Sequence, residues 1–144
     1  MAKWERTIEI EASPARVWEV MADVARWPQW TASIISLESP AGGMALGAAA
    51  KVHARGTPKS TFRVSEWQPG ERFTWETKVR GVRSVAHHII EPAGQGRSRV
   101  KLAVELEGLM ATLSKPFLNK RIVENLELES AGLKRESERM PAVA

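Results

Sequence analysis

Alternation of apolar and polar residues dominates the middle of the chain, and a helical period dominates its end. Trp4 to Glu11 alternates over its second half and predicts a first strand. Ser13 is a good N-cap and Pro14 suits the first helical position, so a helix is expected there. Val17, Trp18, Val20 and Met21 give that helix one apolar face. Asp23 can cap a second short turn from Val24 to Trp27, and Pro28 then disfavours helical geometry at Trp27.

Strand patterns follow at Ile34–Glu38, at Ala48–Arg55 and at Thr61–Trp67. In the last of these Phe62 and Val64 share a face while Trp67 falls on the other, and a bulge near Glu66 resolves the conflict. Arg72 to Arg80 alternates cleanly, with Phe73, Trp75, Thr77 and Val79 on one side. Arg80-Gly81 reads as a two-residue hairpin, which sets Val82, Ser84, Ala86, His88 and Ile90 on that same side. A three-residue loop would reverse the assignment. Val100, Leu102, Val104 and Leu106 form the inward face of the last strand.

From Leu109 to about Arg139 the period is helical, with Leu113, Phe117, Ile122, Leu126 and Leu133 expected inward. Glu124, Glu127, Glu129, Lys134, Arg135, Glu136 and Glu138 are expected on a solvated face. Pro116 should kink this helix or mark where its main part begins. Segregated strands and helices indicate an α+β fold: a curved antiparallel sheet of about seven strands wrapped around the long C-terminal helix. Two short helices follow strand 1. One domain is expected over residues 1–139, with a frayed tail at 140–144.

Composition narrows the chemistry. The 144 residues contain no cysteine, which excludes disulfides, thiolate metal sites and a cysteine nucleophile. The start, Met1 to Arg6, lacks the apolar run of a signal peptide, and no stretch is long enough to span a bilayer, so a cytoplasmic protein is expected. The net charge is +4, but the basic residues are interleaved with glutamates, so no nucleic-acid partner is expected. His87 and His88 are neighbours on a strand and point to opposite faces, so no metal site is expected. Nucleotide-binding and nucleophile-elbow motifs are missing, and no cofactor is expected.

Five segments resemble the SRPBCC superfamily, with its START-like helix-grip fold, and within it the polyketide cyclase/dehydrase group. They are Glu11 to Trp18 at the strand-to-helix junction, Asp23 to Trp30 (D-x-x-x-W-x-x-W), Val64 to Phe73 (V-x-E-x-x-P-x-x-R), Ile90-Glu91-Pro92 with Gly96 and Val100, and Leu133-Lys134-Arg135. The resemblance covers nearly the whole chain and implies an internal cavity. It also implies that Trp27 and Trp30 flank the entrance; a hydrophobic plug is the alternative reading of the same two residues.

The expected ligand-binding lining is Trp27, Trp30, Val52, Phe62, Val64, Phe73, Trp75, Ala86, His88, Leu102, Leu113, Phe117 and Ile122. Small residues such as Ala86 leave room, and His88 could exchange a hydrogen bond or a proton with a ligand. For any one of these side chains, ordinary core packing is the simpler reading. The leading expectation is binding or transport of a hydrophobic small molecule: a lipid, a quinone or an aromatic, polyketide-like metabolite. A cyclase or dehydrase using His88 with an inward hydroxyl from Ser84 or Thr77 is the first alternative. The second is a protein-interaction module meeting its partner through the Trp27/Trp30 edge or through Arg63, Lys78 and Arg83. The sequence leaves room for a homodimer.

Overall fold

The computed structural model describes residues 2–139; the expected frayed tail lies outside them. In chain order the elements are β1 (Ala2–Ile10), α1 (Pro14–Ala22), a 3-10 turn (Val24–Arg26), α2 (Trp27–Trp30), β2 (Ile34–Glu38), β3 (Ala49–Ala54), β4 (Ser60–Gln68), β5 (Arg72–Val79), β6 (Val82–Pro92), β7 (Ser98–Glu107) and α3 (Leu109–Glu138). The strands form one antiparallel sheet in the order β1-β7-β6-β5-β4-β3-β2. This sheet curls into a half-barrel gripping α3, which packs on β1, β6, β7 and the short helices.

Local chemistry sets the corners. The Ser13 side chain accepts from the Arg16 N–H at 3.2 Å and caps α1. Arg80 and Gly81 both have positive φ, 52° and 79°, which the tight hairpin requires, and Val79 pairs with Val82. The two-residue register therefore holds. In β4, Val64 pairs with Trp75 while Glu66 pairs with Thr74, so Ser65 is the extra residue of a bulge. The bulge turns Trp67 inward to meet Phe73.

Two local expectations are corrected. Trp27 adopts helical angles, φ −51° and ψ −43°, although Pro28 follows it. Its ring is buried and its Nε1 donates to the Met21 carbonyl at 3.0 Å, so tertiary packing overrides the local preference. Asp23 supplies no side-chain cap to the turn after it. Helix α3 runs unbroken through Pro116. Its C-terminal half fits tightly against α2: a Cβ added at Gly132 would collide with the Trp30 carbonyl oxygen.

The sheet's convex face is charged but largely neutralised within itself. Arg83 donates to Glu76 and Glu107, and Arg99 pairs with Glu9. His87 meets Glu105 at 2.7 Å and Thr74 at 3.0 Å. Between these rungs Val85 and Ala103 are buried even though they point away from α3.

Candidate functional site

A cavity of about 470 Å³ lies between the sheet and α3. β5 and β6 form its long wall, and their ladder marks its depth. His88, Ala86, Ser84 and Val82 succeed one another along β6, opposite Phe73, Trp75, Thr77 and Val79. At about 3.3 Å per residue, the six steps from His88 to Val82 span roughly 20 Å. The His88 end is closed, with His88 and Trp27 only 3% and 2% exposed. The other end is bordered by exposed residues: Thr57 and Pro58 before β4, Arg80 at the hairpin tip, and Met110 at the start of α3.

Aromatic packing seals the closed end. The Phe73 ring stacks on His88 at 4.2 Å between centroids, and Trp27 covers the same imidazole at 5.4 Å. Trp75 joins Trp27 at 5.4 Å, and Trp30 backs it at 5.6 Å. Rings tilted or offset at these separations are favourable pairs. Trp27 and Trp30 therefore form the plug of this cavity and do not flank its entrance. Both are buried, so they cannot offer an exposed edge to a protein partner.

Two polar side chains meet at the plug. His88 Nδ1 lies 3.2 Å from the Phe73 carbonyl oxygen. A carbonyl only accepts, so this contact places a hydrogen on Nδ1. In the neutral ring Nε2 is then an acceptor, and it faces Glu129 Oε1 at 3.5 Å. One proton between these atoms satisfies both groups. Without it, two acceptors converge on one point of an otherwise apolar chamber. Thr77 and Ser84 contribute hydroxyls farther out. Asn125 donates from Nδ2 to the Arg55 carbonyl at 3.0 Å, while its buried Oδ1 has no partner.

Of the residues read from the sequence, Trp27, Val52, Phe62, Trp75, Ala86, His88 and Ile122 line the cavity. Trp30, Val64, Phe73 and Leu102 are buried in the core but do not line it. Leu113 and Phe117 are corrected outright: they are 61% and 84% exposed on the far side of α3. The inward stripe of α3 instead runs through Ala111, Leu118, Ile122, Leu126, Glu129 and Leu133. Glu129 was expected on the solvated face, yet it is the carboxylate nearest His88. The signal for it was spacing: Ile122, Leu126, Glu129 and Leu133 step by four, three and four, the pattern of a buried helix face.

The model of the family described as polyketide cyclase / dehydrase and lipid transport matches residues 1–138. No curated protein matches the sequence. Among solved structures, a hypothetical protein from Helicobacter pylori is similar with a TM-score of 0.82 at 11% identity, covering 94% of this chain and 88% of that one. A START superfamily protein from Mycobacterium smegmatis is similar with a TM-score of 0.73 at 17% identity, covering 94% and 97%. An aromatase/cyclase from a Streptomyces species gives 0.69 at 14% identity, covering 95% and 91%. At these identities the likeness is one of fold.

Proposed function

The chain belongs to the polyketide cyclase / dehydrase and lipid transport family, and from that premise we propose that it binds a hydrophobic small molecule in the cavity between its sheet and α3. One observation carries the proposal: a chamber of about 470 Å³, apolar along its walls, open at one end and polar at the other. Pockets of 300–1,000 Å³ with apolar walls and a few placed polar groups suit one drug-sized molecule. A lipid chain, a quinone or a flat aromatic metabolite meets that description. Affinity comes from burying apolar area, roughly 25 cal/mol per Å² before ordering costs.

The experiment is to narrow the chamber. Ala86 lines it between Trp75 on one neighbouring strand and Val104 on the other. Ala86→Phe fills space at mid-depth. Titration with an environment-sensitive naphthalene dye should show binding to the parent and at least ~10-fold weaker binding to the variant, on the area argument above. Equal affinity would place the dye elsewhere and remove support for the cavity as the binding site.

A second reading is favoured by the His88–Glu129 pair. A histidine and a carboxylate 3.5 Å apart at the closed end of an apolar chamber can act as acid and base on a carbonyl or hydroxyl carried there by the ligand. This makes the protein a cyclase- or dehydrase-type enzyme, with Thr77 and Ser84 orienting the substrate. His88→Phe keeps the ring stacking and removes the proton carrier. On this reading it lowers turnover by ~10²–10⁴ while apolar binding stays within a few-fold. Neither reading calls for a metal or nucleotide cofactor.

A further inference from the structure

The first half of α3 is apolar on two faces. Its inner face, Ala111, Leu118 and Ile122, packs on the core. Its outer face presents Leu109, Leu113 and Phe117 at 77%, 61% and 84% exposure, with Met110 beside them at 49%. These positions step by four along the helix and form one stripe. A soluble helix normally turns a polar face to water, and an apolar second face marks an interaction surface.

Charge indicates what covers it. From Gly108 to Val123 the chain has no acidic residue and three basic ones, Lys115, Lys120 and Arg121. Lys59 and Arg80 are exposed on the two loops that border the cavity mouth, next to this helix. Among the described residues, Lys59, Arg80 and Lys120 make no ion pair, unlike Arg83, Arg99 and Lys101 of the convex face. Arg121 stays near Glu124 at 3.9 Å. At 100° per residue, Lys120 lies within the apolar stripe itself, between Leu109 and Leu113 around the helix. A two-fold contact with a second copy would press this lysine and its basic flanks against their own images, which is unfavourable.

We propose that the outer face of Leu109–Arg121 docks on the surface of a bilayer carrying anionic lipid. Leu109, Leu113 and Phe117 enter the headgroup boundary, and Lys120 meets the lipid charge, with Lys59 and Arg80 close by. Amphipathic helices with large apolar side chains and lysines bind membranes in this way. The helix lies in the interface and does not cross it; among the described residues no helix is long and apolar enough to span a membrane. The surface stands apart from the identity of anything held in the cavity. It borders the mouth, because Met110 and Arg121 belong to both, so docking brings the cavity entrance to the bilayer.

The test is co-sedimentation of the full chain with vesicles of phosphatidylcholine alone and of phosphatidylcholine with about a third phosphatidylserine. The parent should partition onto the anionic vesicles at low salt, ~10-fold or more above neutral ones, and come off as salt rises. Leu113→Ser with Phe117→Ser should reduce partitioning at least ~10-fold. Lys120→Glu should reduce it about fivefold or more on anionic vesicles only. All three residues are exposed, so circular dichroism and melting should match the parent. No partitioning at low salt overturns the proposal. So does partitioning that survives loss of Leu113 and Phe117, or a concentration-dependent dimer in light scattering that those two substitutions abolish.

Discussion

His88 and Glu129 meet across the cavity because a hairpin and a helix each present them inward, 41 positions apart in the chain. The histidine was legible: an Arg80-Gly81 turn fixes its face by simple counting of alternate residues. The glutamate was not, since a charged side chain amid other charged side chains reads as solvent-facing until its spacing is weighed against its type. A buried ion-pairing couple of this kind is a poor source of stability. Replacing both, His88→Phe with Glu129→Leu, should leave urea stability unchanged or raise it by about 1–4 kcal/mol, with ligand recognition impaired. A marked fall in stability would show that the pair is structural.

Glu105, on the convex face, carries an acid-sensitive contact. The hydrogen bond from His87, then the charges of His87, Lys3 and Arg83, hold the Glu105 carboxyl below its ordinary value of 4.5. A carboxyl depressed on folding contributes stability that is complete above that value and is lost as pH falls through its folded range. Glu105→Gln should therefore lower the unfolding free energy measured in urea near neutrality by a modest amount, about 0.5–1 kcal/mol for a partly exposed pair. The gap to the parent should close as pH drops below 4.5. A gap that widens in acid would contradict the assignment.

At the scale of elements, strands were read more securely than the long helix. Alternation fixed the pairing of β5, β6 and β7, and the clash between Val64 and Trp67 located the bulge that the backbone forms at Ser65. On α3 the apolar residues occupy two faces, and the reading followed the wrong one through its first turns. A step of five between Phe117 and Ile122 marks the slip, because a single helix face steps by three or four. Leu118, one residue along, belongs to the inner stripe. Trp27 shows a different limit: its helical angles before Pro28 come from burial that no local pattern contains.

The contact of α3 with α2 gives the sharpest test at this scale. Gly132 sits where the helix touches the Trp30 carbonyl, and the Arg135 guanidinium donates to that same oxygen at 3.0 Å. Gly→Ala normally favours a helix by about 1 kcal/mol. Here the added carbon forces the helices apart, so Gly132→Ala should lower stability by about 1–3 kcal/mol in urea unfolding. A gain of stability would mean that the two helices yield easily and that the plug is loosely held.

The whole molecule is a sheet closed at one end by aromatic rings and gripped around a helix. Five of its six tryptophans lie in or against one cluster with Phe62, Phe73 and His88. Such a cluster fixes one end of the chamber rigidly and leaves the mouth to loops and the start of α3. The overall architecture was readable because an antiparallel sheet with one apolar face must be covered, and only the last helix is long enough to cover it. Which end is open was not readable, since it depends on where the aromatic residues meet in space.

The central claim, that this chamber holds an apolar molecule, is tested most directly by native mass spectrometry of the purified chain followed by analysis of its organic extract. The expected result is a mass above that of the polypeptide, matched by a lipid, quinone or aromatic compound in the extract and absent from Ala86→Phe. A retained compound that Ala86→Phe holds equally well would contradict it, because the ligand would then lie outside the space between β5, β6 and α3.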